Sequence, residues 1–417
     1  MSSADIAFMF FCTVLVFLMT PGLAFFYGGM VRKRHVLSIM MQSVFVIAIV
    51  TLIWVLFGYS LAFGPDHYHL IGGFQWFGLK GVGLEPNPEY AANIPHLLFF
   101  AFQLMFAIIT PAVMTGATAE RLRFPAFLGL VSLWSIFVYI PLVHWVWGNG
   151  GWLKELGVLD FAGGTVVEIA SGVSGLVTAL VVGKRQMTGQ DISVPHNMPN
   201  VILGAGLLWF GWFGFNAGGA LGANALAVLA LVTTQIAGAF GMIGWAVLEW
   251  LQVRKVTIFG VSSGGIAALV AITPAAGYVT PASALLIGFI AGGIGYIGVA
   301  FLKTKLGYDD ALDVFGIHGL GGTWGTLATG IFADLALNPL GAKGLFNGGG
   351  FHLVGVQLLA IGATYLYVAG MTWGILKVVS LVTPLQASLE EQESGLDLSQ
   401  HGESAYPDFE SAETIYF

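Results

Sequence analysis

Eleven stretches of this chain are each long and apolar enough to cross a lipid bilayer as a helix. The hydrocarbon core of a bilayer is about 30 Å thick, so a spanning helix needs about 20 mostly apolar residues. Backbone N–H and C=O groups cannot be left unsatisfied in lipid, which restricts such segments to helices or closed barrels. The sequence therefore predicts an all-α integral membrane protein with eleven transmembrane helices, at approximately 6–30, 39–64, 95–119, 124–146, 163–183, 200–218, 224–250, 258–275, 282–302, 311–333 and 351–376.

The composition excludes an ordinary soluble domain. Only 9% of the residues are charged and 57% are hydrophobic, whereas soluble domains carry about 25% charged residues. The 59 glycines are consistent with membrane helices, in which small residues allow close van der Waals packing. The one cysteine, Cys12, cannot form an intramolecular disulfide, and we expect it to be a small buried apolar residue.

Basic residues are distributed unequally between the two sets of loops that alternate along a chain with eleven spans. One set carries 12 Lys and Arg residues, and the other carries only Lys80, Lys154 and Lys343. The positive-inside rule then predicts an N-terminus outside and a C-terminus in the cytoplasm of a multi-pass plasma-membrane protein. Residues 1–377 are assigned to the membrane domain. Residues 378–417, with eight acidic side chains and no Lys or Arg, are assigned to a cytoplasmic C-terminal tail in water.

Two segments match at an offset of 150 residues: DFAGGTVVEIASGVSGLV and DALDVFGIHGLGGTWGTL. The matched pairs are Asp160 and Asp310, Glu168 and His318, Gly172 and Gly322, and Gly175 and Gly325. The segments lie on spans 5 and 10, an odd number of spans apart, so they run in opposite directions across the membrane. This spacing predicts an inverted repeat of spans 1–5 and 6–10, with halves of about 1–190 and 191–335 followed by span 11. Chance similarity between glycine-rich helices is the alternative.

Glu168 and His318 are the ionisable residues that the repeated segments place inside apolar spans. Ionisable groups are costly within a membrane, so they usually face a cavity or a partner. A structural pair that never contacts a substrate is the alternative interpretation. Related positions on opposed helices can meet at a pseudo-two-fold axis. A carboxylate and an imidazole meeting there could accept a proton or hydrogen-bond a small polar molecule.

Six ordered sequence blocks cover nearly the whole chain: TPGLAFFYGGMVR from Thr20, FAFQLMFAIITPAVMTGATAERLRF from Phe100, HWVWGNGGWL from His144, GWFGFNAGGA from Gly211, DDALDVFGIHGLGGTWG from Asp309 and ESGLDLSQHGESAY from Glu393. Together they resemble the ammonium transporter family (Amt/Mep/Rh). The resemblance implies a homotrimer with eleven helices and one narrow hydrophobic pore per subunit. It also implies ammonium or ammonia as the substrate, and regulation by a trimeric PII-class protein at the cytoplasmic mouth.

The resemblance assigns further pore residues by motif position. Trp147 corresponds to the vestibule tryptophan that recruits ammonium, and an aromatic face can hold a small cation that sheds water. Phe106 and Phe215 correspond to stacked phenylalanines that close the outer side of the pore. Taken alone, Trp147 would be an interfacial belt residue, and the two phenylalanines would be core or lipid contacts. At the inner end of the pore, the resemblance implies a vestibule formed by Phe26, Tyr27, Asp310 and Asp313.

Asp160 matches a family aspartate near the recruitment site. We predict a structural role for it, because a carboxylate can accept backbone N–H bonds near a helix start, while its charge favours a nearby cation.

The chain departs from the family pattern at two positions. Glu168 stands where the family usually has histidine, which favours ammonium ion or proton transfer over a mechanism with two neutral imidazoles. Gly219 stands where serine is common, so recruitment would depend more on Trp147, backbone carbonyls and water.

The predicted function is transport of ammonium or ammonia, with recruitment outside and deprotonation or proton handover at Glu168 and His318. An ammonium sensor that signals through the C-terminal tail and an Rh-type neutral gas channel are the alternatives. The sequence contains no recognisable metal cluster, nucleotide loop or nucleophile–base set, so an enzyme, a cofactor and a nucleic-acid partner are not expected. The other histidines are expected in loops or interfaces: His35, His67, His69, His96, His144, His196, His352 and His401.

Overall fold

The computed structural model describes residues 1–185 and 195–406, and helices dominate this part of the chain. Its main helices are α1 (Ser3–Met30), α2 (Lys33–Phe63), α3 (His96–Thr118), α4 (Phe124–Glu155), α5 (Gly164–Val182), α6 (Met198–Ala220), α7 (Ala225–Val253), α8 (Ile258–Ile272), α9 (Pro281–Leu306), α10 (Phe315–Gly319 continued by Leu320–Phe332) and α11 (His352–Ser380). Two small hairpins lie between α2 and α3. Their strands are β1 (Asp66–His67), β2 (Ile71–Gly72), β3 (Pro86–Asn87) and β4 (Ala91–Pro95).

Each predicted span overlaps one of these helices, which confirms the all-α architecture. Among the described residues, nine helices are long and apolar enough to cross a membrane. The remaining two are α10 and the shorter apolar helix α8, which has 15 residues. Helix α8 ends at Ile272 and is followed by a buried turn that contains Pro274. Proline has no N–H to continue a helix, so the last part of the predicted span 258–275 is not helical.

Helices α5 and α10 cross at glycines. A Cβ atom added at Gly172 on α5 would lie 2.1 Å from the backbone N of Gly319 on α10. At the matched position of the repeat, a Cβ atom on Gly322 would lie 2.8 Å from the Cβ atom of Glu168. Small residues of this kind let helix backbones approach closely in a membrane. The crossing therefore brings together the two segments that carry the predicted functional pair.

The helical bundle has two distinct ends. The two hairpins cover one end, which we call the hairpin face, where Trp152 N–H donates to the carbonyl of His69 at 3.2 Å. The connections after α1, α3, α5 and α9 lie together at the other end. The C-terminal residues 383–406 pack there, and we call this end the tail face. Asp160 lies on the connection that enters α5 from the hairpin face, whereas Asp310 enters α10 from the tail face.

Three of the histidines expected in loops or interfaces, His35, His96 and His144, are buried in the structure. The ring of His144 lies 2.9 Å from the Ala62 carbonyl through Nδ1 and 2.9 Å from Asp66 Oδ1 through Nε2. Both ring nitrogens therefore have acceptors, which explains how this polar ring is accommodated within α4.

A network of charged side chains links the connections at the tail face. Arg185 Nη2 lies 2.8 Å from Asp309 Oδ1, and its Nη1 lies 3.4 Å from Glu120 Oε2. The same Glu120 oxygen lies 2.8 Å from Arg32 Nε. These residues come from the connections after α1, α3, α5 and α9. The ion pairs therefore tie together four loops that are distant in sequence.

The described part of the C-terminal tail is packed on the tail face. Arg123 N–H donates to the Leu385 carbonyl at 3.0 Å, and Ala387 N–H donates to the Arg121 carbonyl at 2.8 Å. Further along, the carboxylate of Asp397 accepts the backbone N–H of Ser38 at 2.7 Å. The acidic tail predicted to lie in water is thus attached to the membrane domain by backbone and side-chain hydrogen bonds. Residues 407–417 lie outside the described part of the chain.

The Asp309–Arg185 pair predicts a pH-dependent contribution to stability. Burial would raise the pKa of Asp309, but hydrogen bonds and charge from Arg185 and Arg121 lower that pKa to about 2. A lowered carboxyl pKa stabilises the fold above its unfolded value near 4, and this stabilisation is lost as pH falls towards 2. We expect Asp309→Asn to lower the free energy of unfolding by roughly 2 kcal/mol at pH 7. Unfolding in detergent measures the effect, and wild type and variant should have similar stability near pH 2. The same difference in free energy of unfolding at pH 2 and pH 7 would contradict this prediction.

Candidate functional site

Glu168 and His318 meet in the interior, as a hydrogen-bonded pair. Glu168 Oε2 lies 2.7 Å from His318 Nδ1, and the side chains are 2% and 8% exposed, respectively. One proton can lie between them in two ways: the ring N–H donates to the carboxylate, or a carboxylic acid donates to the neutral ring. The pair can therefore take up or release a proton without leaving either group unbonded.

Asp160 organises the entry into α5. Its Oδ1 accepts the backbone N–H groups of Gly163 and Gly164, both at 2.7 Å. Its Oδ2 accepts the N–H and the hydroxyl of Thr165, the N–H bond being 2.8 Å long. These N–H groups lack partners within the helix, and the predicted backbone hydrogen bonds of Asp160 are present. With its lone pairs so occupied, the carboxylate acts on a ligand mainly through its charge.

Asp310 does the same for α10. Its carboxylate accepts the N–H of Val314 at 3.1 Å and that of Phe315 at 2.7 Å. The side chain is fully buried, like most of the segment that it caps. The two matched aspartates thus fix the starts of the two helices that carry the acid–imidazole pair.

Both members of the pair lie in π-helical segments. Gly164–Ile169 contains Glu168, and Phe315–Gly319 contains His318. A π-helical turn inserts extra backbone into an α-helix and is frequent at functional sites. Because the two segments occupy equivalent positions after their capping aspartates, they rotate both side chains relative to a regular helix in a comparable way.

A small cavity borders the pair. Its volume is about 20 Å³, which is room for about one water molecule. Apart from the acid and the imidazole, every lining side chain except the Trp212 indole is wholly apolar, and that indole N–H donates to Thr273 at 2.9 Å. The cavity is lined by Glu168, His318, Phe215, Phe26, Val113 and Trp212, among others. A hydrated ion does not fit in such a space, whereas a molecule the size of water does.

Two stacked rings separate this cavity from a wide vestibule on the hairpin face. Phe106 and Phe215 have ring centroids 4.2 Å apart and an interplanar angle of 26°. Trp147 contacts Phe106 edge-on at 5.9 Å, and its indole N–H donates to the Asp160 carbonyl at 3.0 Å. The vestibule has a volume of about 790 Å³, and Phe106, Trp147, Asp160 and Gly219 are among its lining residues. The structure thus brings together all five residues predicted for the outer side of the pore, which are Trp147, Phe106, Phe215, Gly219 and Asp160.

The surroundings of Gly219 explain why a larger residue is disfavoured there. An added Cβ atom would lie 2.8 Å from the backbone O of Phe161 and 3.0 Å from its ring. The Phe161 ring packs edge-on against Tyr278, with centroids 5.6 Å apart. Phe161 therefore fills the space that a side chain at position 219 would need, and both residues line the vestibule.

A second small cavity lies on the tail side of the pair. Phe26, Tyr27, Asp313 and His318 are among its lining residues, and its volume is about 10 Å³. Asp313 Oδ1 lies 2.6 Å from Lys303 Nζ. Since His318 lines both this cavity and the one on the other side of the pair, the imidazole stands between two small spaces.

One predicted residue lies apart from this second cavity, and two residues were missed. Asp310 caps α10 and is not among the residues that line the cavity. Phe161 could have been suspected from its place beside Asp160 in the repeated motif. Lys303 ends up opposite Asp313 only through the fold, so no local signal indicates it. Within residues 1–185 and 195–406, no group of three or more His, Cys, Asp or Glu side chains could hold a metal ion.

Comparisons with known proteins bear on this arrangement. The family model described as Ammonium Transporter Family matches residues 7–406. An ammonium transporter of Bacillus subtilis (strain 168) is 54% identical over 408 residues, covering 98% of this chain and 100% of the relative. An ammonium transporter of Aquifex aeolicus (strain VF5) is 47% identical, covering 97% of this chain and 94% of the relative.

Solved structures are similar over comparable lengths. The crystal structure of Saccharomyces cerevisiae Mep2 has a TM-score of 0.86 and 36% identity, and the match covers 93% of this chain and 88% of that one. A structure described as a sensor Amt protein has a TM-score of 0.88 and 30% identity, covering 95% of this chain and 98% of that one. The chain therefore resembles these proteins in both sequence and architecture along nearly its whole length.

Proposed function

Because this chain belongs to the ammonium transporter family and is a multi-pass membrane transporter of ammonium rather than an enzyme, we propose that its substrate passes the Glu168–His318 pair. The observation that carries this proposal is the 2.7 Å contact between carboxylate and imidazole beside an apolar cavity of about 20 Å³. A cavity of that size accepts ammonia or a bare ammonium ion but excludes a hydration shell.

The first step is recruitment in the vestibule. The indole of Trp147 offers a π face to a cation, a contact worth about 0.5–2 kcal/mol. Asp160 and Phe161 line the same vestibule, and the Asp160 charge adds a favourable field. Phe106 and Phe215 then form the gate, which a small molecule crosses by tilting the stacked rings apart. The stacking distance of 4.2 Å supports a gate that is closed at rest.

The second step is proton handover. Moving an intact cation into an apolar space costs several kcal/mol or more. Transfer of one proton from ammonium to the Glu168 carboxylate leaves neutral ammonia and a carboxylic acid hydrogen-bonded to His318. Ammonia then continues past Phe26 and Tyr27, and the proton follows through the imidazole towards the cavity beside Asp313. A potassium ion has no proton to give, so it is excluded at this step.

The finer architecture is part of the proposal. The matched capping aspartates and π-helical segments support an inverted repeat with halves of about 1–190 and 191–335, followed by α11. The concentration of Arg and Lys at the tail face supports its location in the cytoplasm, with the hairpin face and the N-terminus outside. The membrane domain ends near residue 377, and 378–417 form the cytoplasmic tail. By family membership we extend to this chain a homotrimer and a PII-class regulatory partner at the tail face.

Reconstitution in liposomes tests the proposed function. We expect an inward current on addition of ammonium, competition by methylammonium, and no current with potassium. Ammonia flux without charge movement would indicate the neutral-gas channel instead. Ammonium binding without flux would indicate a sensor, a role that the packed C-terminal tail and the similarity to the sensor Amt protein make the second candidate. Protein-free liposomes are the control.

A further inference from the structure

One buried side-chain amide lies on α11, outside the repeated halves. It hydrogen-bonds both α10 and the connection that leads into α5. Gln357 lies on α11 and is completely buried. Its Nε2 donates to the carbonyl of Leu159 at 2.8 Å and to the carbonyl of Thr326 at 3.2 Å. Its Oε1 accepts the N–H of Leu159 at 3.1 Å. The side chain therefore satisfies both backbone groups of one residue, as a paired strand would.

The two contacted residues belong to the two halves. Leu159 immediately precedes Asp160, whose carboxylate organises the start of the helix that carries Glu168. Thr326 is on α10, the helix that carries His318. One amide group thus links the two halves in the interior, where a polar group left without a hydrogen bond is destabilising.

Two more polar contacts lie further along the same helix, at intervals of about two turns. The Tyr365 hydroxyl lies 2.8 Å from Thr323 Oγ1 on α10, and Thr372 Oγ1 lies 3.0 Å from Ser174 Oγ on α5. Positions 357, 365 and 372 are spaced by eight and seven residues, which places them on one helical face. Helix α11 is therefore hydrogen-bonded to both pore helices.

We propose that Gln357 is a positioning residue, which sets the separation of the Glu168 carboxylate and the His318 imidazole by fixing Leu159 relative to α10. This inference rests on the proposed function of that pair. Removing the amide frees the backbone at Leu159, and the capped start of α5 can then move against α10. The acid and the imidazole titrate as a coupled unit, so a change in their separation alters the pH dependence of transport as well as its rate.

The test compares Gln357→Leu with Thr364→Val in liposomes. Thr364 is an equally buried polar residue on α11, but its hydroxyl bonds only the Ala360 carbonyl of its own helix, at 2.7 Å. We expect Gln357→Leu to lower the current per folded protein by about 10–100-fold, as a misplacement of about 1 Å can, and to displace the midpoint of its pH profile. Thr364→Val should keep the wild-type current and profile.

A loss of folded protein without a displaced pH profile in the remaining Gln357→Leu molecules would overturn the positioning role. Wild-type current per folded molecule would overturn it as well. Glu168→Gln, measured in parallel, separates the two hypotheses. If Glu168→Gln abolishes the current while Gln357→Leu behaves like Thr364→Val, only the positioning role is wrong. If Glu168→Gln leaves the current unchanged, the proposed function of the pair is itself wrong.

Discussion

Glu168→Gln is expected to lower the ammonium-dependent current by at least about 100-fold, the usual contribution of a positioned acid or base. Glutamine has nearly the same shape as glutamate and can still hydrogen-bond the His318 ring across the 2.7 Å gap. It cannot accept a proton from ammonium, however, and it carries no negative charge to offset the cost of bringing a cation into an apolar cavity. Current in liposomes at saturating ammonium measures the effect.

Two further variants make this experiment specific. Glu249 is a buried glutamate on α7 whose carboxylate accepts the Thr257 hydroxyl at 2.7 Å, away from the cavity. Glu249→Gln should leave the current within about two-fold of wild type, since it removes a charge without touching the pore. Glu168→His replaces the carboxylate with another proton acceptor and should support transport, unlike Glu168→Gln. If Glu168→Gln transports like wild type, proton handover at this position is refuted.

The contact between Glu168 and His318 could be predicted because both residues lie at matching positions of two similar sequence segments. Asp160 and Asp310 stand eight residues before Glu168 and His318, and the offset of 150 residues is constant. Apolar stretches as long as a bilayer is thick predicted the eleven main helices, because lipid leaves the backbone few alternatives. The sequence therefore predicted both the main helices and the two ionisable residues that meet between them.

Other parts of the site depend on contacts between segments distant in sequence. The π-helical turns around Glu168 and His318 have no local sequence signal, since the residues there also suit a regular α-helix. Lys303 meets Asp313, and Gln357 meets Leu159, only after the helices have packed. The burial of His144 has a similar cause. A histidine at the end of a span is usually interfacial, but here Ala62 and Asp66 supply acceptors for both ring nitrogens and allow burial.

Gly172→Ala is expected to disrupt the crossing of α5 and α10, with effects on both stability and transport. The added methyl group would lie 2.1 Å from the Gly319 nitrogen and 2.3 Å from its Cα atom. These are backbone atoms, so no side chain can rotate away, and the helices must separate by about 1 Å or more to reach ordinary contact. Overpacking of this kind costs about 1–3 kcal/mol. The same displacement widens the gap between Glu168 and His318, so we expect current per folded protein to fall about 100-fold.

Gly362→Ala is the matched control, because a Cβ atom at Gly362 on α11 meets nothing within 4 Å. Alanine forms helices more readily than glycine, so this variant should be as stable as wild type and transport normally. The comparison separates a close helix crossing from a general intolerance of alanine in membrane helices. Thermal unfolding in detergent and current in liposomes report the two effects. Wild-type behaviour of Gly172→Ala in both would mean that α5 and α10 can move apart without cost, and the fixed separation of carboxylate and imidazole would then lose its structural basis.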